Sequence, residues 1–304
     1  MRIVFMGTPS FAVLSLQRLA STGEVTLVVT RPDAVRGRGK RLEPSPVKEA
    51  ALELGIDVLE CRRIDDEALE RVRAEAPDVI CVAAYGAILP DALLQIPPLG
   101  TVNVHASLLP HGRGAAPIQR AVLEGDELAG VSIMSIVHEL DAGDYCRQAS
   151  VEIGDKPCAQ VMEELAELGA TELVAALASI EDGSVCWTAQ DESLVTYAAK
   201  VEKHEMQLDP ADSAARNKQR VQASLDAAPA RATVAGRGVR LMLASASQER
   251  VAQGSVLIRK GRVFLGCADA SLEVLRVKPD GKREMDASAW AAGLRGDGLT
   301  WAHV

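Results

Sequence analysis

Two polar side chains stand out in "NVHASLLP", residues 103–110, because the residues before them read as the end of a buried strand. Side chains two apart in a strand share a face, so Asn103 and His105 project together. An amide N–H beside an imidazole can stabilise a developing oxyanion. A third group lies downstream in "HELDAGDYC", residues 138–146, after the apolar run "GVSIMSIV". If both segments leave the carboxyl ends of parallel strands, Asp141 faces the pair across the crevice where open α/β sheets bind ligands. A carboxylate there can orient an imidazole and help remove a proton. Each residue alone has a plainer use: a satisfied core histidine, a polar strand end, a turn residue in "DAGD". Together they describe acyl-type or one-carbon transfer, or hydrolysis. No Ser or Cys nucleophile accompanies them, which points to direct transfer between two bound substrates.

The elements that must position these groups alternate in type. "RIVFMG", "EVTLVVT", "DVICVAAYG" and "GTVNVHAS" read as strands. "SFAVLSLQRLAS", "SPVKEAALELG", "DDEALERVRAEAP" and "APIQRAVLEG" read as helices between and around them. Near-continuous apolar strands separated by helices predict an α/β fold, a parallel sheet covered on both faces. A long helix over about 157–180 closes this part. From about 190 the texture turns polar, then gives short alternating runs with Gly-bearing turns: "VRLMLASAS", "GSVLIRKG", "RVFLGC" and "SLEVLRVKP". Those predict a small antiparallel barrel or sandwich. The expected division is a first domain over 1–189, a linker over 190–206 and a second domain over 207–304.

Composition narrows the class. The chain has 304 residues, 48% hydrophobic and 25% charged, as a soluble globular protein has. No apolar run nears the roughly 18 residues of a membrane helix, and the amino terminus reads as a first strand rather than a signal peptide. Six scattered cysteines without a C-x-x-C pair suit a reducing cytoplasm and indicate neither zinc nor disulfides. No metal site is expected. The net charge is −9, unevenly placed: residues 205–304 hold 15 basic and 11 acidic side chains. An acidic protein needs a local basic patch to hold a polyanion. "RPDAVRGRGKRLEPSPVK", residues 31–48, offers six basic groups against two acidic ones, although such runs are usually solvated loops. Two nucleotide motifs fail on spacing. "MGTPSFA" has one Gly where a dinucleotide fingerprint needs three. "GRGKR" has Ala34 in place of the first Gly of a phosphate loop, and Arg41 where a magnesium-binding Ser or Thr belongs.

The stretch "NVHASLLP…RGAAPIQRAVLEGD…GVSIMSIVHELDAGD" resembles the folate-dependent formyltransferases. With "MGTPSFA", the basic 31–48 segment, "AYGAILP" and "LVTYAAKVEK", the likeness narrows to the branch acting on methionyl-tRNA, over about 1–205. The C-terminal part matches in length and texture alone. The resemblance implies a Rossmann-like parallel-sheet catalytic domain followed by an OB-like barrel that binds tRNA. It implies 10-formyltetrahydrofolate as donor and the α-amine of initiator methionyl-tRNA as acceptor. Its Asn, His and Asp fall on Asn103, His105 and Asp141. Its folate contacts fall on Ser107, Leu108, Leu109 and Pro110, with a pterin-side loop at Tyr85, Gly86, Ala87, Ile88 and Leu89. Its acceptor-stem contacts fall on Arg36, Arg38, Lys40 and Arg41, and a monomer is expected. Two places depart from the pattern: His111-Gly112 replaces a bulky residue before "RGAAP", and "LDAAPAR" (225–231) stands where a Trp-containing segment is common.

Relatives with other acceptors share the core motif: glycinamide ribonucleotide and sugar formyltransferases, and a formyltetrahydrofolate hydrolase. The basic insertion and the basic tail favour a nucleic-acid acceptor over these. An inactive RNA-binding relative is the alternative from another class, and the intact triad argues against it.

Overall fold

The computed structural model describes residues 1–36, 41–294, 296 and 298–304, with Arg36 and Arg41 described through their backbone alone. Contacts divide the chain into two compact units. The first comprises Met1–Pro117, Ala129–Val151 and Met162–Ala198; the second comprises Ile118–Leu128, Glu152–Val161 and Ala199–Val304. This differs from the contiguous division expected at 190–206.

The strands of the first half are β1 (Arg2–Gly7), β2 (Glu24–Thr30), β3 (Ala34–Arg36), β4 (Arg41–Glu43), β5 (Val58–Glu60), β6 (Val79–Ala83), β7 (Thr101–His105), β8 (Leu128–Ser135) and β9 (Tyr145–Glu152). The helices are α1 (Val13–Thr22), α2 (Pro46–Glu53), α3 (Asp66–Ala74), α4 (Asp91–Leu94), α5 (Pro117–Glu124) and α6 (Cys158–Glu181). Seven strands form one sheet in the order β5-β2-β1-β6-β7-β8-β9. Strands β5, β2, β1, β6 and β7 run parallel. Strand β8, in contrast, is antiparallel to β7, pairing Ser132 with His105 and Ser135 with Val102. The expectation that Asp141 leaves a parallel strand is therefore corrected. The reason is visible in the register: the 106–127 connection delivers the chain to the end where β7 finishes, so β8 must run back.

Alternation in β7 divides its side chains. Val104 packs toward α6 at Gly169, where a Cβ would meet the Val104 side chain. Asn103 is the register partner of Val82 and so lies on the opposite face. That face carries the cluster of Val4, Met6, Leu27, Val29, Ile80, Val82 and Tyr85, closed by Leu69 and Val72 of α3 and Leu93 of α4. The carboxyl ends of β2, β6 and β7 lie along one sheet edge, so the loops after Thr30, Ala83 and His105 share it.

In the second unit, α7 (Ala214–Gln222) precedes β10 (Arg231–Val234), β11 (Arg237–Ser247), β12 (Val256–Arg259), β13 (Arg262–Gly266), β14 (Ser271–Pro279), β15 (Met285–Asp286), α8 (Ala287–Ala291) and β16 (Trp301–Ala302). The antiparallel order β12-β13-β14-β11-β10-β16 is nearly a closed barrel. Val256 N–H donates to Leu299 O at 2.9 Å and Trp301 N–H to Gly254 O at 2.8 Å, drawing the two edges together. The Trp301 ring is buried and its N–H donates to Gly266 O at 2.9 Å. No helix among the described residues is long and apolar enough to cross a membrane.

The connector into this unit is anchored by Arg120. Its Nε donates to Ala199 O at 2.8 Å, and its guanidinium grips both oxygens of Glu205 at 2.7 and 2.9 Å. That grip lowers the Glu205 carboxyl from the ordinary 4.5 to about 2. A depressed folded value means the pair stabilises the fold above the unfolded value and stops doing so as pH falls through the folded one. Glu205→Gln should therefore lower stability by on the order of 1 kcal/mol at neutral pH. The gap between variant and wild type should shrink from about pH 5 toward pH 2. Urea melts at several pH values test this, and a gap independent of pH would contradict it.

Candidate active site

His105 is buried, and its ring lies between two acceptors. Nε2 is 3.0 Å from the Gly112 carbonyl, and Nδ1 is 3.7 Å from Asp141 Oδ1. A carbonyl can only accept, so Nε2 carries a proton in this arrangement. The other ring nitrogen is then the one that faces the carboxylate. Asp141 is itself fixed by the Gly114 N–H, which donates to Oδ2 at 2.9 Å. The 136–144 loop carrying Asp141 reaches His105 through an uncommon backbone. Asp141 has φ +52°, the left-handed region. Two residues on, a Cβ at Gly143 would run into the Ser135 carbonyl, so only glycine fits there.

Asn103 is half-buried, two residues before His105 on the same face. Among the described residues no group hydrogen-bonds its side-chain amide. An amide N–H, a bound imidazole and a carboxylate are thus gathered at one strand end with the amide free to act on a ligand.

The 107–110 segment is held beside them by Ser132 of β8. Its Oγ donates to Ser107 O at 2.6 Å and accepts from Leu109 N–H at 3.0 Å and from Gln148 Nε2 at 2.8 Å. Gln148 also donates to Leu109 O at 2.8 Å. Leu109 is buried, and both of its backbone groups are engaged. Ser107 Oγ donates to His111 O at 2.6 Å, and Leu108 packs over Gly130. Pro110 follows Leu109 through a cis peptide bond.

In the 84–90 loop, which the resemblance gives to the pterin side, Tyr85 is buried. Its ring lies in the core cluster, and its hydroxyl meets Cys61 Sγ at 3.3 Å. Burial, with that hydrogen bond, pushes the phenol pKa up. The Tyr85 carbonyl accepts from Thr8 Oγ1 at 3.0 Å and the Gly86 carbonyl from Arg31 Nη1 at 2.9 Å. Ala87 and Leu89 pack against the core, whereas Ile88 is 91% exposed.

The basic segment is a hairpin rather than a plain loop. Strands β3 and β4 pair antiparallel with Arg36 opposite Arg41. Its base is stitched by Thr30 and Ser45, whose hydroxyls are 2.7 Å apart, and by Lys48 Nζ, 2.8 Å from both Asp33 and Glu60. Arg31 and Lys48 are thus structural, with Arg31 on the Gly86 carbonyl and Lys48 on Asp33 and Glu60. Arg38 and Lys40 lie outside the described residues. Val35 and Leu42 pair across the hairpin and are exposed.

The family model for formyl transferase matches residues 1–177, more than half of the chain. The chain belongs to the formyl transferase family. The model of the formyl transferase C-terminal domain matches residues 200–295, so the likeness extends through the barrel as well. The methionyl-tRNA formyltransferase of Methylobacillus flagellatus is 40% identical over 297 residues, covering 96% of each chain. That of Halorhodospira halophila is 42% identical over 299 residues, covering 97% of this chain and 96% of the relative. The fold is shared with Aquifex aeolicus HypX, solved with tetrahydrofolic acid, at TM-score 0.66 and 19% identity. That match covers 99% of this chain and 50% of HypX. It is shared also with WlaRD, a sugar 3N-formyl transferase, at TM-score 0.67 and 12% identity, over 93% and 99% of the two chains.

Several residues of this formyl transferase site were not singled out from sequence. Arg113 is 4% exposed and bonds Gln190 and Glu192. Thr196 Oγ1 accepts from the Gly112 N–H at 2.9 Å, and the backbone of 196–198 pairs with Arg113. The segment that reads as a polar connector is therefore the outer support of the 112–114 loop. The one available signal was "RGAAP" itself, a charged residue between glycine-rich neighbours.

Asp141→Asn keeps the shape of the group facing His105 and removes its charge. Turnover of this formyl transferase should fall by about 10² or more, and its pH–rate profile should lose or shift a limb. An unchanged rate and profile would leave Asp141 as a turn residue only.

Proposed function

We propose that the chain moves the formyl group of 10-formyltetrahydrofolate to the α-amino group of initiator methionyl-tRNA, giving formylmethionyl-tRNA for translation initiation. The observation that carries the reading is full-length likeness to two relatives bearing the name methionyl-tRNA formyltransferase. The site supplies matching chemistry. The amine nitrogen bonds to the formyl carbon, the folate C–N10 bond breaks, and one amine proton ends on the folate nitrogen. Negative charge builds on the formyl oxygen, where the free Asn103 amide can donate a hydrogen bond, and where His105 can donate once its Nε2–H leaves the Gly112 carbonyl. Asp141 holds the imidazole and assists removal of the amine proton.

The 107–110 segment and the 85–89 loop are assigned to the folate, with Ile88 the most exposed side chain of that loop. Arg36, Arg38, Lys40 and Arg41 are assigned to acceptor-stem phosphates, and the barrel to further tRNA contact. With few aromatic side chains, binding through the barrel rests on charge more than stacking. Six scattered cysteines without a C-x-x-C pair suit the cytoplasm, and the protein is read as a monomer.

The decisive assay supplies 10-formyltetrahydrofolate with and without initiator methionyl-tRNA. Formylated tRNA should form, and folate release should require the acceptor. Release without acceptor would favour a hydrolase. In Arg36→Ala, Arg38→Ala, Lys40→Ala and Arg41→Ala, tRNA affinity should weaken and its salt slope should fall by about one unit per lost phosphate contact. Folate affinity should hold. Loss of folate affinity at constant tRNA slope would place the hairpin in the donor site.

A further inference from the structure

Gln190 stands at a crossing of every chain segment that shapes the Asp141 loop. It is 9% exposed, and each polar atom of its amide is engaged. Nε2 donates to Asp141 O at 2.8 Å and to Gly143 O at 2.7 Å, using both of its protons. Oε1 accepts from Arg113 Nε at 3.0 Å. Arg113 is held in turn by Glu192, at 2.7 Å from Nη2, and by backbone pairing with residues 196–198. The residues on either side of Arg113 touch the two reacting-site groups: Gly112 O meets His105 and Gly114 N–H meets Asp141. One amide therefore ties the loop that bears Asp141 to the loop that bonds both His105 and Asp141.

The need for such a clamp follows from the backbone. Asp141 is not glycine yet has φ +52°, and residues in that region persist only where their surroundings hold them. The carbonyls captured by Gln190 are those of Asp141 itself and of Gly143, on both sides of Ala142. Holding these two carbonyls fixes the peptide planes that aim the Asp141 side chain. Only an amide does this. A carboxylate has no donors for two carbonyls, and a shorter amide does not reach both and Arg113 together.

We propose that Gln190 is a positioning residue that keeps Asp141 in its left-handed conformation and so aligns the carboxylate on His105 Nδ1. The inference rests on the reading of Asp141 as a working group of the formyl transfer. Gln190 touches no reacting atom. Its removal should act on turnover through Asp141, since an error of about 1 Å in the placement of such a group costs on the order of 10²-fold.

The test compares Gln190→Ala, Gln190→Glu and Asp141→Asn, singly and combined, in single-turnover formyl transfer with initiator methionyl-tRNA. Gln190→Glu retains volume and the Arg113 contact, so it remains folded if truncation to alanine does not, and folding is checked by circular dichroism and thermal melting. Both Gln190 variants should lose ~10–100-fold in rate with tRNA and folate affinities unchanged. Their pH–rate profiles should move as that of Asp141→Asn does. In the Asp141→Asn background the Gln190 changes should add little, because the group they position is already disabled. A folded Gln190→Glu variant at wild-type rate overturns the proposal, as does a loss that multiplies fully with Asp141→Asn. If Asp141→Asn itself transfers at the wild-type rate, the reading of the site fails instead, and the two failures are distinct.

Discussion

The His105 ring lies between the Gly112 carbonyl, 3.0 Å from Nε2, and the Asp141 carboxylate, 3.7 Å from Nδ1, and the candidate active site depends on that placement. Neither acceptor belongs to the strand that carries the ring. Gly112 comes from the loop after β7, and Asp141 from the loop after β8. Both loops must therefore be rigid to a fraction of an ångström for one imidazole to be aimed. The devices that make them rigid are mostly side chains capturing backbone: Ser132 and Gln148 on Leu109, Thr196 on Gly112, Gln190 on Asp141 and Gly143. Buried backbone groups in irregular loops need such partners, because no strand or helix supplies them.

The antiparallel turn at β8 belongs to the same logic. A parallel β8 would require the 106–127 connection to carry the chain back to the amino end of β7 first. Running back instead, β8 sets Ser132 opposite His105, with its hydroxyl under the 107–109 segment. The loop that follows then has to return toward the ring, and this is where the left-handed Asp141 and the glycine at 143 are required.

Much of this was readable from residues alone. Strand periodicity put Asn103 and His105 on one face, and the apolar runs marked the parallel sheet and the barrel. The resemblance singles out Asp141, which "DAGD" alone reads as a turn residue. What the sequence concealed was support from a distance. Gln190 lies 49 residues from Asp141 in a stretch whose polar composition reads as a linker, and nothing local reveals that its amide is buried. Arg113 reads as a surface charge until Glu192 and Gln190 are seen to cover it. The resemblance gives Tyr85 to the pterin-side loop, and the structure alone shows its ring completing the core. Short strands such as β16 carry too few residues for any periodicity, and they exist because the barrel edge needs a partner.

The most direct test of the account is the single-turnover rate of Asn103→Ala with saturating folate and initiator methionyl-tRNA. Asn103 has no structural hydrogen bond to lose among the described residues, so the variant should fold and bind both substrates as the wild type does. Its rate should fall by about 10²–10³, the usual loss when one oxyanion donor is removed. A folded Asn103→Ala protein that binds both substrates and transfers within a few-fold of the wild-type rate would contradict the assignment of this strand end to the formyl transfer.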